Sequence, residues 1–157
     1  MKTNKINQKG FSLIELLVVV IIIGIIAAIA IPSLLSSRRA ANEASAVANL
    51  RTIHTANATF AATQHTNGYF GATFAALSTT PALLDSSWTG TPVKNTFTYT
   101  YTVDAAATPT LYCVQAKSAD VNAKDYAVGT DGTVYSGAHN AVSCAAGVRT
   151  GGIPLGS

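Results

Sequence analysis

The chain has 157 residues, of which 48% are apolar and only 11% are charged, and its formal net charge is +3. This length fits one domain and is too short for two ordinary ones. The low charge and high apolar content exclude a disordered chain, and the composition is neither collagen-like nor that of a coiled coil. Because soluble domains carry roughly 25% charged residues, part of this chain is expected to lie in lipid or in a large interface.

The positive charge is concentrated at the start of the chain. Lys2, Lys5 and Lys9 lie in the first ten residues without any acid among them, and basic and acidic residues balance beyond that point. The basic surplus is therefore no sign of nucleic-acid binding. A short basic flank beside an apolar segment is typical of the cytoplasmic side of a membrane helix.

A long apolar run follows this flank. No polar side chain occurs from Leu16 to Ile31, and residues 11–35 contain a single charge, Glu15. Roughly 20 helical residues span a bilayer, so the run predicts a membrane helix over about residues 11–35. The alternative is a cleaved secretory signal ending near residues 27–30, but such signals have a shorter apolar region of about 7–15 residues.

Glu15 is unusual in this setting. A carboxylate in an apolar helix costs about 2–3.5 kcal/mol near the bilayer centre. We expect it to pair with a positive charge from another subunit. The alternatives are that it reaches the headgroups or is protonated.

Residues 9–15, with the sequence KGFSLIE, resemble the N-terminal signature of the type IV pilin superfamily, which includes type IV pilins and the pseudopilins of type II secretion. The resemblance covers about residues 1–50 and is greatest to type IV major pilins. It implies a leader of residues 1–10, which a membrane prepilin peptidase removes by cutting between Gly10 and Phe11. The same enzyme would N-methylate Phe11. Because Gly10 has no side chain, a protease can close on the backbone there.

The resemblance also implies a structural role rather than an enzymatic one. The prepilin would sit once across the bacterial inner membrane, with its leader in the cytoplasm and its apolar helix in the lipid bilayer. An inner-membrane platform with cytoplasmic ATPases would then assemble it, through its N-terminal helices, into a homopolymeric extracellular pilus used for adhesion, motility or surface contact. In such a filament Glu15 of an incoming subunit pairs with the Phe11 amine of its predecessor.

Two helix-weakening residues interrupt the apolar run. Gly24 lowers helix propensity, and Pro32 removes a helical hydrogen bond, so a kink is expected. The resemblance implies that the segment between them can extend or melt in a filament. Arg38 and Arg39 end the run; they oppose the usual inside bias of positive charge, but the leader lysines outnumber them.

The helix is predicted to continue. Residues 38–66 are rich in alanine and lack Gly and Pro, and Asn67-Gly68 is a plausible stop, so one helix is expected over about residues 11–66. The residues spaced to bury one helix face are Ala46, Leu50, Ile53 and Phe60.

Three polar features of this helix carry weak signals. His54 and His65 are too few for a metal site, and we expect them to be solvated or loosely packed. The sequon Asn57-Ala58-Thr59 is a weak glycosylation signal in the middle of a helix.

Residues 67–157 are predicted to form the globular head. Residues 67–92 look like a connecting region with several apolar packing residues, and alternation over Phe97–Val103 predicts a strand. A second strand is expected over residues 111–116, and a hairpin over residues 126–135. The predicted fold class is α+β, a long N-terminal helix packed on an antiparallel sheet of three to five strands, as in type IV pilins.

Cys113 and Cys144 are the only cysteines, and they lie beyond the membrane segment, where disulfides persist. We expect them to form a bridge; two free buried thiols are the alternative. The resemblance implies a disulfide that ties the C-terminal region to the sheet. The Gly-rich tail, residues 147–157, is either flexible or docked on a neighbour.

The rest of the sequence contains no motif typical of a catalytic, cofactor or metal site. There is no phosphate loop, no metal-ligand array and no nucleophile with a convincing base, so we predict no catalytic residue, cofactor or metal. A type II pseudopilin is the first alternative, but those proteins carry a C-terminal calcium loop with several acids, and no acid follows Asp131. A minor pilin that binds DNA or a surface at a filament tip is the second. The cations available in the head are Lys94, Lys117, Lys124 and Arg149, so nucleic acid is not an expected partner.

Overall fold

The structure is a computed structural model that describes residues 10–64, 70–79, 82–105 and 109–155. The chain divides into two compact units, Met1–Arg38 and Arg39–Ser157. The predictions for the leader lysines Lys2, Lys5 and Lys9, for His65 and for the Asn67-Gly68 helix stop lie outside the described residues.

Helix α1 spans Leu13–Gln64. It begins two residues later than predicted because Ser12 acts as its N-cap: the Ser12 carbonyl accepts the first helical hydrogen bond, from the Leu16 amide, at 3.3 Å. The helix runs without interruption through Gly24 and Pro32.

The second unit is built on an antiparallel sheet. Six strands lie in the spatial order β1-β2-β3-β4-β5-β8. Their bounds are β1 Val93–Lys94, β2 Phe97–Val103, β3 Tyr112–Ser118, β4 Asp125–Gly129, β5 Val134–Gly137 and β8 Ile153–Pro154. The α+β fold, with a long helix packed on an antiparallel sheet, is confirmed. The predicted count of three to five strands is too low, because two-residue strands join both edges of the sheet.

The core of this unit joins the helix stripe to one face of the sheet. Leu50 and Ile53 of α1 are fully buried in the same cluster as Tyr99 and Tyr112. Along β2, Phe97 and Tyr99 are buried in this core, whereas the neighbouring Thr98 and Thr100 are more exposed. Burying a side chain of leucine size stabilises a fold by about 1.5–3 kcal/mol, so this stripe is the main attachment of α1 to the sheet.

The region predicted to be a simple connection contains a second helix. Helix α2 spans Phe74–Thr79, and the hydroxyl of Thr73 accepts the Ala76 amide at 3.3 Å as its N-cap. Six residues are too few for a helical period to be recognised. The apolar residues of this region are nevertheless core residues as expected, namely Phe74, Leu77, Leu84 and Trp88.

A two-stranded ribbon, β6 Ser143–Ala145 and β7 Val148–Thr150, forms a separate sheet. Cys144 of this ribbon is joined by a disulfide to Cys113 of β3, with the two Cα atoms 5.6 Å apart. The tail after the ribbon is docked on its own sheet, because β8 pairs with β5 and the Leu155 amide donates to the Val134 carbonyl at 2.8 Å.

Replacing Cys113 with Ser should destabilise the second unit. The bridge closes a sequence separation of 31 residues, and in the chain-entropy model its loss costs about 3–4 kcal/mol. Denaturant unfolding of the oxidised parent and of the Cys113→Ser, Cys144→Ser and double variants measures this. All three variants should lose similar stability and should no longer respond to reductant. A single variant as stable as the oxidised parent would contradict the expected contribution.

Candidate assembly segment

The described residues of the first unit, 10–38, carry largely apolar side chains that are exposed. Among the described residues one helix is long and apolar enough to cross a membrane, with a mean hydropathy of 3.2 in a window of which none is buried. Leu13 is 89% exposed and Ile29 is 74% exposed. An apolar surface of this extent marks a contact with lipid or with protein.

Glu15 is the only charge from residue 10 to residue 37. Its Oε2 atom accepts a hydrogen bond from the backbone amide of Ser12 at 3.0 Å. This is half of a capping box, in which the third residue of a helix reaches back to the N-cap amide. The carboxylate is thereby held in the first turn, on the side nearest to Phe11, and the positive end of the helix dipole stabilises it.

The capping role of Ser12 was not anticipated from the sequence, although the signal is present there. Ser-x-x-Glu before an apolar run is the sequence signature of a capping box, and residues 12–15 fit it. Ser12 therefore joins Phe11 and Glu15 in the local arrangement at the start of α1.

The backbone around Gly10 is open. A Cβ atom added at Gly10 would meet no described atom within 4 Å, and the same is true at Gly24. Phe11 is 85% exposed. A side chain at position 10 would therefore not disturb the fold, so the glycine there is not a requirement of packing.

In the second unit, polar contacts join the first residues of its part of α1 to β4 and to the connection between β3 and β4. Arg39 Nε lies 2.8 Å from Asp120 Oδ2, and Glu43 accepts both the Tyr126 hydroxyl and the Lys124 amide at 3.0 Å. Burial, reinforced by the Glu43 carboxylate, raises the pKa of Tyr126. These contacts join residues about eighty positions apart, so no local sequence signal could have revealed them.

The weak signals in the helix have structural explanations. His54 is half-buried, and its Nδ1 atom lies 2.5 Å from the Tyr112 hydroxyl, so it is more firmly held than expected. Asn57 is fully buried; its Nδ2 donates to the Ile53 carbonyl and its Oδ1 accepts the Tyr101 hydroxyl at 2.6 Å. The sequon amide is therefore inaccessible in the folded unit.

Three charged residues of the head are engaged in local contacts. Asp131 accepts the Tyr135 hydroxyl at 3.0 Å, while Arg149 stacks on the ring of Tyr135 and Lys94 on that of Trp88. In the part of the chain that the structure describes, no group of three or more potential metal ligands occurs.

One family model and two curated relatives match parts of the chain. The family described as "Prokaryotic N-terminal methylation motif" matches residues 5–31. The chain is 42% identical over 62 residues to a type IV major pilin protein of Myxococcus xanthus, and 60% identical over 37 residues to a type IV wide pilus major component of Thermus thermophilus. These alignments cover 38% and 24% of this chain, and each spans only 28% of the relative. No solved structure matches the chain.

Proposed function

We propose that this chain is a pilin of the type IV superfamily, a structural subunit that polymerises through its N-terminal helix into a type IV pilus filament; its similarity to the methylation-motif family and to two major pilins supports this. The observation that carries this proposal is the exposed apolar segment of α1. One hydrogen-bonded carboxylate, that of Glu15, lies in the first turn of this segment. Such a segment needs lipid or other apolar helices around it. A filament core made of the same segments supplies the second environment.

The proposed first step is removal of the leader. The peptidase cuts the open backbone between Gly10 and Phe11, leaving a new amino group that it methylates. That amine is positively charged at neutral pH. The apolar segment stays attached to the head, so the mature chain remains in the inner membrane after cleavage.

The proposed second step is extraction into the filament. Lipid is as apolar as the helices themselves, so moving the apolar segment from lipid into the filament gives no net hydrophobic free energy. Packing and polar pairing must therefore direct assembly. Glu15 of the incoming chain pairs with the Phe11 amine of its predecessor. Because desolvation offsets much of the attraction in such a pair, its main contribution is to fix how far the new helix rises.

The partners in this proposal are further copies of the chain, the prepilin peptidase, the lipid bilayer, and an assembly platform with cytoplasmic ATPases. Adhesion, motility or surface contact is the proposed use of the filament. The names of both relatives favour a pilus subunit over a secretion pseudopilin.

Electron microscopy and peptide mass spectrometry of sheared surface material test the proposal. We expect long filaments that contain this chain, with N-methylated Phe11 as its first residue. Short filaments seen only when a secretion system is overproduced would favour a pseudopilin. A chain that stays in the membrane fraction and begins at Met1 would contradict both.

A further inference from the structure

Two adjacent arginines follow the apolar segment, and their surroundings differ. Arg39 is partly buried and forms an ion pair with Asp120 at 2.8 Å. Arg38 is exposed, and among the described residues no acid lies within ion-pair distance of it and no acceptor bonds it. One guanidinium is therefore neutralised within the chain and the other is available to an external anion.

The position of Arg38 along α1 limits which anion it meets. Helical rise places Arg38 about 35 Å from Glu15 along the axis, and the hydrocarbon core of a bilayer is about 30 Å thick. The residues between them carry no charge, and Ser36 and Ser37 come directly before Arg38. If Glu15 lies at one edge of the hydrocarbon, Arg38 lies among the headgroups at the other.

We propose that Arg38 binds the phosphate group of a phospholipid in the outer leaflet and so fixes the depth of the helix before assembly. This inference rests on the proposed function, because it requires the apolar segment to span a bilayer. A guanidinium forms paired, charge-assisted hydrogen bonds with phosphate oxygens, and its alkyl stem packs along apolar surface while its head stays in the polar layer.

The ion pair of Arg39 reduces a conflict in the charge pattern. Arginines on the outer flank oppose the usual inside bias, yet Asp120 neutralises Arg39. Among the described residues, the outer flank therefore presents one positive charge outside an ion pair, and the leader sequence contains three lysines. This single cation fixes depth without reversing orientation.

Solid-state NMR tests the proposal directly. The full chain, with ¹³C at the guanidinium carbons of its arginines, is reconstituted in phosphatidylglycerol–phosphatidylethanolamine vesicles in phosphate-free buffer. We expect ¹³C–³¹P dephasing that is lost in Arg38→Gln. It should be retained in the matched control Arg51→Gln, which removes another exposed arginine of α1, and in Arg39→Gln.

The outcomes separate this inference from the proposed function. Dephasing that survives in Arg38→Gln would overturn the phosphate contact, as would coupling of Arg38 to a protein carboxylate instead. In both cases the chain would still be inserted. Failure of the parent chain to float with the vesicles would instead contradict the membrane-spanning helix on which the proposed function depends.

Discussion

Replacing Glu15 with Ala is expected to leave the chain in the membrane and to abolish most filaments. The substitution removes an acid from an otherwise apolar segment, so insertion becomes easier. In the proposed filament it would leave the Phe11 amine buried without its partner, which would cost about 3 kcal/mol and lower subunit addition roughly a hundredfold. Quantitative immunoblots of sheared and membrane fractions measure both effects.

A second variant separates the charge of Glu15 from its capping role. The amide oxygen of Glu15→Gln can still accept the Ser12 backbone hydrogen bond, because Gln also serves in capping boxes, but the negative charge is gone. We expect Glu15→Gln to fail as severely as Glu15→Ala. Asp85→Asn is the control, since it removes an exposed acid from the second unit. Normal filament yield from Glu15→Gln would refute the charge pairing and leave capping as the function of Glu15.

Replacing Gly10 with Val is expected to block removal of the leader. The structure has open space for a side chain at this position, so the fold should be unaffected and the effect should come from the peptidase alone. Intact-mass measurement should find only the chain that begins at Met1. Filaments should be absent, because no Phe11 amine is released.

Gly24→Ala is the matched control for this variant. It adds a methyl group at another open glycine in the same unit, and within a helix it stabilises by about 1 kcal/mol. We expect the leader of Gly24→Ala to be removed normally. If Gly10→Val were also cut normally, peptidase recognition of this glycine would be wrong. A cleaved Gly24→Ala chain that assembles poorly would indicate that helix flexibility matters in the filament.

Periodicity in the sequence predicts the elements in which buried and exposed side chains recur at regular intervals. The bounds of β2, Phe97–Val103, match the alternation in the sequence, and Ala46, Leu50, Ile53 and Phe60 are buried as a stripe. Those patterns are visible because one face of each element packs on the core over several residues.

Short or distant interactions could not be predicted in this way. Strands β1 and β8 have two residues each, too few to show alternation. The buried Asn57 has two hydrogen-bond partners, and one of them, the Tyr101 hydroxyl, lies 44 positions away in the sequence. The difference between Arg38 and Arg39 depends in the same way on Asp120, 81 positions beyond Arg39.

The candidate segment itself is predictable because it is continuous in sequence. The apolar run follows residues 9–15 directly in the sequence, so composition and motif alone indicate a membrane helix. The hydrogen bond between Ser12 and Glu15 is the feature that the structure adds, and it gives the carboxylate a role within its own chain.

Cryo-electron microscopy of sheared filaments tests most directly the claim that residues 16–31 move from lipid into a filament core. The account predicts that these residues from neighbouring subunits pack on one another away from water, with each Glu15 carboxylate beside the Phe11 amine of another subunit. A reconstruction with these residues exposed to solvent on the filament surface, or with subunits that begin at Met1, would contradict it.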